Sequence, residues 1–289
     1  MIWQIRRGTL DLTRHARVMG ILNVTPDSFS DGGRHAGAGA ALDHARQMIA
    51  EGAELIDIGG ESTRPGAAPV TAADEIARTI PVVTALRAEW DGLICIDTTK
   101  AAVAAAALAA GADIVNDVSG LRADPAMPEV CAASTCGVVV MHMQGEPRTM
   151  QSTPRYTDVV AEVRAFFADR LAALVRSGIN PATLCFDPGI GFGKTLEHNL
   201  ALLGALRSIS PPARPLLLGV SRKSFINKIL GSDDPALRDP PTAVITALAR
   251  QQGVMLHRVH AIRPNLEALR LTEALLGYGP DHQTASGSE

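Results

Sequence analysis

The sequence predicts an α/β fold, a (β/α)8 TIM barrel with a short N-terminal hairpin, from three observations. Short aliphatic runs alternate with longer helix-like stretches along the chain, and there are eight such units. The aliphatic runs are continuous rather than alternating, which is typical of parallel strands covered on both faces. The chain has 289 residues, close to the roughly 250 residues that such a barrel takes.

The predicted elements begin with a hairpin. Residues Ile2–Ile5 and Thr9–Leu12 flank Arg7-Gly8, so we expect a hairpin that plugs the barrel bottom. The eight predicted strands are Val18–Leu22, Glu54–Ile58, Leu93–Asp97, Asp113–Asn116, Val138–His142, Leu184–Asp187, Leu216–Gly219 and Met255–Val259. The predicted helices are Ala38–Glu51, Ala72–Glu89, Thr99–Ala110, Asp124–Ala133, Thr157–Ser177, Leu196–Ser208, Thr242–Gln252 and Asn265–Leu276, with a shorter one at Lys223–Leu230.

One domain is predicted for residues 1–289, because the sequence holds no internal repeat, linker or break in composition. Within it, residues 1–15 form the N-terminal hairpin and the polar residues 277–289 form a frayed tail. The alternative fold is a doubly wound open sheet, which would need a glycine fingerprint after the first strand. Polar residues at eight strand ends favour the barrel.

Composition and charge exclude several classes of function. Hydrophobic residues make up 46% of the chain, so a large core is available and disorder is not expected. With 27 Lys and Arg against 30 Asp and Glu, the net charge of −3 leaves no basic field for nucleic acid. No apolar run reaches the ~20 residues of a membrane span, and the first residues lack the order of a signal peptide.

The cysteines are typical of a protein from a reducing compartment. Cys95, Cys131, Cys136 and Cys185 form no C-x-x-C pair, and no Cys/His cluster has the spacing of a zinc site. Cys95 and Cys185 lie in strand-like apolar runs, which predicts buried free thiols. We therefore expect a cytoplasmic location.

Polar and reactive residues follow almost every predicted strand. In barrel enzymes, the loops that follow the strands build the active site at one mouth of the barrel. The residues at these ends are Asn23 and Thr25–Gly33, Asp57 and Gly59–Gly66, Asp97–Lys100, Asn116-Asp117, Met141–Met143, Asp187–Gly189, Ser221–Ser224, and Arg258 with His260. One polar strand end is commonly a cap or a satisfied core group, but eight that converge predict an active site.

The residue types at this mouth indicate an anionic heterocyclic substrate. Asp97, Asn116 and Asp187 suit a flat heterocycle with several donors and acceptors on one edge. The cations available for an anionic leaving group or a carboxylate are Lys223, Arg222, Arg64, Arg258 and His260. Asn23 is a candidate to hold Mg²⁺ beside phosphate oxygens, because Mg²⁺ prefers oxygen ligands and few protein contacts. The two long glycine-rich loops after the first two strands are expected to be mobile lids.

Two motifs suggest sites that we do not expect here. Gly191–Thr195 contains the G-K-T of a phosphate-binding loop, but position 188 is Pro where that motif needs its first Gly. Glycines for a tight strand–helix turn are the better explanation. The run Met141–Met143 suggests a metal site, but a lone His without ligand partners more often lines a pocket.

The motifs at the strand ends resemble those of one enzyme family. Met19–Gly33, M-G-I-L-N-V-T-P-D-S-F-S-D-G-G, and Asp57–Gly66, D-I-G-G-E-S-T-R-P-G, are the longest and most specific. Further matches are Ile96–Thr98, Asn116-Asp117, Met141–Gly145, Asp187–Lys194 and Ser221–Ser224. Together they are similar to the motifs of dihydropteroate synthase, a pterin-binding TIM-barrel family, from about residue 8 to residue 276.

The resemblance implies a transferase, its substrates and a metal. The family joins 7,8-dihydropterin-6-methyl pyrophosphate to p-aminobenzoate, giving 7,8-dihydropteroate and pyrophosphate in folate biosynthesis, and is the target of sulfonamides. The metal would be Mg²⁺, the partners small molecules rather than nucleic acid or membrane, and the assembly a homodimer packed through late helices. The face formed by Leu266, Leu269, Ala274 and Leu276 is a candidate interface, but it could equally cover the barrel.

Residue roles are carried over from the matching motifs. The pterin-binding residues would be Asp97, Asn116, Asp187 and Lys223, with Met141, Phe192, Gly219 and Arg258 around the ring. The pyrophosphate-binding residues would be Asn23, Thr63, Arg64, Arg258 and His260, with Asn23 as the metal ligand. The p-aminobenzoate site would be Phe29, Ser62, Thr63, Pro65 and Ser224, and the catalytic residues Asp97, Lys223, Arg64 and His260. In a dissociative mechanism, cations stabilise the leaving pyrophosphate and carboxylates stabilise the cation left on the pterin methylene group. The residues carried over include both kinds of group, which supports such a mechanism.

Two positions depart from the family pattern. Ala261 stands where the family usually has Asp, and Pro240-Pro241 stand where it usually has Gly before Thr242. We expect the first change to remove a polar neighbour from the anion site and the second to stiffen a turn. Two alternatives stay open: a catalytically silent pterin-binding paralogue, and a pterin-dependent methyltransferase, which would not need the intact loops at 25–30 and 62–65.

Overall fold

Ten strands form a hairpin and a barrel in the computed structural model of the chain, which describes residues 1–24, 33–62, 68–145, 149–231 and 234–278. The strands are β1 (Ile2–Ile5), β2 (Gly8–Asp11), β3 (Arg17–Asn23), β4 (Leu55–Gly59), β5 (Leu93–Asp97), β6 (Ile114–Asp117), β7 (Gly137–Met141), β8 (Leu184–Asp187), β9 (Leu217–Leu218) and β10 (Leu256–Val259). All eight predicted barrel strands are present within one residue at either end.

The helices follow the barrel strands along the chain, and the last one comes after β10. They are α1 (Gly33–Ala50), α2 (Ala72–Glu89), α3 (Ala101–Ala110), α4 (Met127–Ser134), α5 (Val159–Arg176), α6 (Leu196–Gly204), α7 (Leu206–Ile209), α8 (Ser224–Leu230), α9 (Asp239–Gln251) and α10 (Ile262–Leu275). Local side chains fix several starts: the Asp158 carboxylate accepts from the amides of Val160 and Ala161, both at 3.0 Å. Such caps satisfy amide groups that the first helical turn leaves unpaired.

The eight strands from β3 to β10 close into a parallel barrel. Their order is β8-β7-β6-β5-β4-β3-β10-β9. A single bridge between Phe186 and Leu216 joins β8 to β9, and the Phe186 amide donates to the Pro215 carbonyl at 3.0 Å. Every residue of β4, β6, β7 and β8 is buried, which explains why these strands are continuous aliphatic runs. The predicted TIM barrel is confirmed.

The N-terminal hairpin β1–β2 packs on the barrel end at which the strands begin. Trp3 is fully buried, and its indole Nε1 donates to the Thr183 carbonyl at 2.7 Å. Gly137 is the first residue of β7, and a Cβ atom there would lie 3.0 Å from Ile5 Cγ2 and 3.1 Å from Trp3 Cζ2. The hairpin therefore covers the barrel bottom, as predicted, and leaves the opposite mouth for a site.

Two predicted details are corrected, and for two residues of α10 the structure favours one of two open alternatives. The helix predicted over Leu196–Ser208 is two helices, because the chain turns at Ala205, whose amide donates to the Leu202 carbonyl three residues earlier. Pro240-Pro241 do not stiffen a turn but lie in the first turn of α9, where a missing N–H costs no intrahelical bond. Of the candidate interface on α10, Leu269 is buried and Leu266 packs against the core, so both cover the barrel.

Among the described helices, none is long and apolar enough to span a membrane. The predicted tail at residues 277–289 lies outside the described residues apart from 277 and 278. All four cysteines are buried and free, as predicted for Cys95 and Cys185.

Candidate active site

The polar ends of neighbouring strands lie side by side at the barrel mouth. The strand register pairs Asn23 with Gly59, Gly59 with Asp97, and Asp97 with Asn116. A Cβ atom on Gly59 would lie 3.5 Å from Asp97 Cβ and 3.9 Å from Asn23 Oδ1. Because Gly59 has no side chain, space remains between the Asn23 amide oxygen and the Asp97 carboxylate.

A network of charged and polar groups joins four strands at this mouth. Arg258 on β10 donates through Nε to Asp57 Oδ2 at 2.5 Å and through Nη2 to Asp97 Oδ2 at 2.7 Å. Asn116 Nδ2 donates to the same Asp57 oxygen at 3.0 Å. Asp57 is fully buried, so its carboxylate holds Arg258 and Asn116 in place from within the barrel wall.

Asp57 is a site residue to which the sequence analysis assigned no role. Asp57 stands at the second strand end, but none of the predicted binding sets includes it. The sequence signal for such a role is that Asp57 is an acidic residue in a strand whose other residues are all apolar or Gly. A buried carboxylate is rare unless it is paired, so such a residue indicates a partner elsewhere in the fold.

Burial shifts the pKa values within this network. Burial raises the pKa of Asp97 to about 7, because desolvation outweighs the opposing charge of Arg258, and the Asp57 carboxylate adds to the rise. Burial alone would lower the pKa of Arg258, but the carboxylates of Asp57 and Asp97 raise it above its usual range. Arg258 is therefore a permanent cation, whereas Asp97 changes its charge near neutral pH.

Asp187 and Lys223 approach the mouth from β8 and from the loop after β9. Asp187 Oδ1 accepts from the Gly189 amide at 2.7 Å, and burial raises the pKa of this carboxyl group although Lys223 opposes that shift. Lys223 Nζ donates to the Ile190 carbonyl and lies 4.5 Å from the centre of the Phe192 ring. Burial lowers the pKa of Lys223 to about 8, opposed by the Asp187 carboxylate.

The space beside Asp187 is bounded by Gly219 and by apolar side chains. A Cβ atom on Gly219 would lie 3.7 Å from Asp187 Oδ2, so this glycine keeps the approach to the carboxylate open. Met141 and Phe192 belong to a small apolar cluster that is separate from the main core. Its buried members are Val118, Met141, Met143 and Met150, with Phe192 packed against them. Sulfur and aromatic side chains of this kind suit the flat face of a heterocycle.

His260 is oriented by Ser221. The Ser221 hydroxyl lies 2.9 Å from His260 Nδ1, and the His260 amide donates to the same oxygen at 3.1 Å. A neighbour that bonds one imidazole nitrogen sets the orientation of the ring and the role of the other nitrogen. Ser221, from the strand-end motif, is therefore a second residue whose role the sequence analysis did not assign.

Arg222 does not join the other cations of the mouth, contrary to expectation. Its guanidinium forms two bonds to the Asp239 carboxylate, Nε to Oδ1 at 2.8 Å and Nη2 to Oδ2 at 2.7 Å. Such a bidentate pair uses the planar fork of Arg against a carboxylate. Arg222 therefore ties the loop after β9 to the start of α9.

Several predicted residues lie outside the described part of the chain or at its edge. Phe29, Thr63, Arg64 and Pro65 lie outside the described residues, as do most of the first expected lid and half of the second. Ser62 ends a described range and is partly buried, and Ser224 is the exposed first residue of α8.

Within the described ranges, no group of three or more His, Cys, Asp and Glu side chains would hold a metal. A Mg²⁺ ion that keeps several waters and binds substrate phosphates needs only one or two protein oxygens. The Asn23 amide oxygen, at the strand end beside Asp97, fits that requirement.

The arrangement as a whole combines recognition with charge stabilisation. Carboxylates, an amide and an ammonium surround a space with an apolar wall, so a flat heterocycle would meet both donors and acceptors. Arg258 and His260 lie on β10 and directly after it, and Gly219 separates Arg258 from the Asp187 carboxylate on β8. The mouth is therefore suited to bind a neutral ring that carries an anionic group.

Comparison with known proteins gives consistent matches. The profile of a family described as pterin binding enzyme matches residues 19–260. Dihydropteroate synthase of Escherichia coli strain K12 is 45% identical over 268 residues, which is 93% of this chain and 94% of that protein. The structure of Yersinia pestis dihydropteroate synthase with a sulfonamide drug superposes with a TM-score of 0.90 at 44% identity, covering 96% of this chain and 100% of that one. A Xanthomonas albilineans dihydropteroate synthase in complex with 7,8-dihydropteroate superposes with a TM-score of 0.84 at 40% identity, covering 93% and 96%.

Proposed function

The chain belongs to the dihydropteroate synthase family of pterin-binding enzymes, and on that premise we propose how its own residues perform the family's reaction. The reaction joins 7,8-dihydropterin-6-methyl pyrophosphate to p-aminobenzoate. A C–N bond forms between the pterin methylene carbon and the aryl amine, the C–O bond to pyrophosphate breaks, and the amine loses a proton. The observation that supports the assignment is the network of Asp57, Asp97, Asn116 and Arg258 at the barrel mouth.

We assign the pterin to the space between β5, β6 and β8. Asp97 and Asp187 accept hydrogen bonds, Lys223 donates them, and the Asn116 amide does both. Asp187 keeps one carboxylate oxygen on the Gly189 amide, so its other oxygen is available to a ring N–H group. Met141, Phe192, Gly219 and Arg258 complete the walls of this site. A ligand lacking the matching donors would leave buried acceptors unpaired, and that penalty gives specificity.

We assign the pyrophosphate to the cationic side of the mouth. Asn23, Arg258 and His260 are the described residues of this set, and Thr63 and Arg64 belong to it from outside the described ranges. Asn23 would hold Mg²⁺ with its amide oxygen, and the bound ion would neutralise charge on the departing phosphate oxygens. Arg258 adds a fixed positive charge, because two carboxylates hold it protonated and oriented.

We assign p-aminobenzoate to the outer rim of the mouth. Ser62 and Ser224 are the described residues of this site, and Phe29, Thr63 and Pro65 complete it by resemblance. The Ser224 side chain is exposed at the start of α8, next to Lys223 in the chain. An acceptor substrate bound there would present its amine toward the pterin methylene group.

The residues support a dissociative mechanism. Pyrophosphate leaves first, and the positive charge that develops on the pterin methylene carbon is stabilised by a nearby carboxylate, Asp97 foremost. Asp97 is suited to this because one of its oxygens already bonds to Arg258, which keeps the carboxylate oriented. The weakly basic aryl amine then attacks the carbon and releases its proton.

The assembly and location are also proposals. The exposed apolar side chains of α9 and α10, two neighbouring helices, support a homodimer formed by a second copy of this chain. They are Val244 and Leu248 on α9, with exposed fractions of 59% and 55%, and Leu271 and Leu275 on α10, with 69% and 85%.

The free cysteines support a cytoplasmic location. The remaining partners are the two small-molecule substrates.

An assay of both products tests the proposed function. The purified chain is mixed with the pterin pyrophosphate and Mg²⁺, with and without p-aminobenzoate, while pyrophosphate and dihydropteroate are measured. We expect dihydropteroate only with both substrates, and a sulfonamide titration that competes with p-aminobenzoate. Pterin binding without pyrophosphate release would instead identify a silent paralogue, and methyl transfer from a methylated pterin would identify the methyltransferase.

A further inference from the structure

The loop between β8 and α6 has a backbone that strongly favours glycine. Gly189, Gly191 and Gly193 have φ angles of +64°, +82° and +61°, so left-handed residues alternate along the loop. A Cβ atom on Gly189 would lie 1.9 Å from the His142 carbonyl oxygen, and one on Gly193 would lie 2.3 Å from the Gln144 carbonyl oxygen. The glycines that look like a phosphate-binding loop therefore bring this loop against the loop after β7.

The Lys194 side chain folds back under this loop, and its ammonium is surrounded by backbone carbonyls. It is 3% exposed, and its ammonium donates to the carbonyls of Gly189 at 2.9 Å, Phe192 at 3.0 Å and His142 at 3.3 Å. His142 Nδ1 lies 3.0 Å from the same nitrogen. In a phosphate-binding loop the backbone amides face a ligand, whereas here backbone carbonyls face the lysine of the loop itself.

The same loop holds the two charged residues assigned to the pterin. The Gly189 amide donates to Asp187 Oδ1 at 2.7 Å, and the Ile190 carbonyl accepts from Lys223 Nζ. The Phe192 ring lies 4.5 Å from Lys223 Nζ. A shift of the loop by a fraction of an ångström would therefore move Asp187, Lys223 and Phe192 together.

We propose that Lys194 is a positioning residue for pterin binding, which orders the 189–193 backbone and through it places Asp187 and Lys223. This inference rests on the proposed function, since it takes Asp187 and Lys223 as pterin ligands. Lys194 itself touches no substrate, because its ammonium is enclosed by three carbonyl oxygens and an imidazole.

If Lys194 served only the stability of the fold, its replacement would not change pterin affinity in a folded protein. Burying an ammonium is costly, and an apolar side chain of similar length commonly preserves stability at such a site. Burial and, to a smaller extent, the Lys223 charge lower the pKa of Lys194 to about 7, which agrees with that cost. If Lys194 instead positions the loop, its replacement by Met should leave a folded protein that binds the pterin more weakly.

The test compares Lys194→Met and Lys194→Gln with two matched controls. Lys228→Met removes an exposed lysine on α8, and Tyr156→Phe removes the hydroxyl that donates to the Gly193 carbonyl of the same loop at 3.0 Å. Each protein is checked by circular dichroism and thermal unfolding. KM is then measured for each substrate, and the Kd of an unreactive pterin lacking the pyrophosphate is measured by calorimetry.

We expect Lys194→Met to raise the pterin Kd and the KM for the pterin pyrophosphate at least ~10-fold, because a misplacement of about 1 Å can cost about 100-fold. The KM for p-aminobenzoate should change less than about threefold, and Lys194→Gln, which keeps two N–H donors, should recover part of the loss. Both controls should behave as the unmodified protein.

Three results would overturn the inference. Unchanged pterin affinity in a folded Lys194→Met protein would show that the loop keeps its shape without the ammonium. Equal losses for both substrates would show a general disturbance of the mouth. Failure of both Lys194 variants to fold would make Lys194 a structural residue. If the unmodified chain forms no dihydropteroate, the proposed function fails, whereas the calorimetric Kd still reports on Lys194.

Discussion

Asp57 and Arg258, 201 residues apart in the chain, form a hydrogen-bonded ion pair of 2.5 Å inside the barrel wall. Asp57 has no exposed surface, and the same oxygen that accepts from Arg258 also accepts from Asn116. Arg258 bonds in turn to Asp97. One buried carboxylate therefore links the side chains assigned to the pterin with the cation assigned to the pyrophosphate.

Replacing Asp57 by Asn should impair both stability and activity. Removing one partner of a buried ion pair typically lowers the free energy of unfolding by about 3–5 kcal/mol. We expect a loss of about 3 kcal/mol here, because Arg258 keeps its ion pair with Asp97. Urea unfolding measures this change, and kcat/KM for the pterin pyrophosphate should fall at least ~10-fold. The control Asp43→Asn breaks an exposed pair with Arg46 at 2.8 Å and should cost less than about 1 kcal/mol. Equal costs for the two variants would contradict the role of Asp57.

Replacing Asp97 by Asn should lower kcat far more than pterin affinity. The amide keeps the shape of the carboxyl group but removes the negative charge that stabilises a developing cation. We expect a loss of roughly 100-fold in kcat, the size typical of one lost electrostatic contact to a transition state. The Kd of an unreactive pterin should change only a few fold. An unchanged turnover number would exclude Asp97 from the chemical step.

The pH dependence of kcat/KM should be bell-shaped and narrow. Asp97 must be ionised, so activity should fall as the pH drops below about 7, the raised pKa of this carboxyl group. Lys223 must be charged, so activity should also fall as the pH rises above about 8, its lowered pKa. The free-enzyme profile of kcat/KM measures both values. Lys223→Arg should move the alkaline limb upward and leave the acid limb in place, and a profile flat from 6 to 9 would contradict both assignments.

Replacing Ala261 by Asp should stabilise the fold. Ala261 is the N-cap of α10 and has extended backbone angles, but its side chain offers no acceptor. An Asp acceptor at an N-cap contributes about 1 kcal/mol, which should raise Tm by ~2–4 °C. Ala261→Val supplies no acceptor and should not raise Tm. Calorimetric scans of the three proteins make the comparison, and parallel assays report any change at the adjacent His260.

Charges on the exposed face of α10 should dissociate the proposed dimer. Leu271 and Leu275 are 69% and 85% exposed in the single chain, and burying a glutamate in an apolar interface is unfavourable. Sedimentation velocity of Leu271→Glu/Leu275→Glu should therefore show a monomer where the unmodified chain shows a dimer. Leu200→Glu, at a 46% exposed leucine on α6, should leave the dimer intact. A monomeric unmodified chain would refute the assembly itself.

Much of the architecture was predictable because it depends on local pattern. Parallel strands covered on both faces must be aliphatic throughout, so runs such as Leu93–Asp97 and Leu184–Asp187 reveal their bounds. The strand ends of a parallel barrel meet at one mouth, so Asp97, Asn116 and Asp187 could be placed together without coordinates. The helix at Leu196–Ser208 was predicted wrongly, because a break of one residue at Ala205 leaves the periodicity nearly unchanged.

Pairing between distant residues depends on the fold as a whole. Local sequence pattern is enough to predict the barrel, its mouth and the chemical types that gather there, because periodicity and strand-end position are properties of short segments. Local pattern does not predict that Arg222 binds Asp239 while Arg258 binds Asp57, or that Lys194 is enclosed by carbonyls of its own loop. A charged side chain takes the partner that the fold brings within about 3 Å, and that distance is set by the packing of strands and helices rather than by neighbours in the chain.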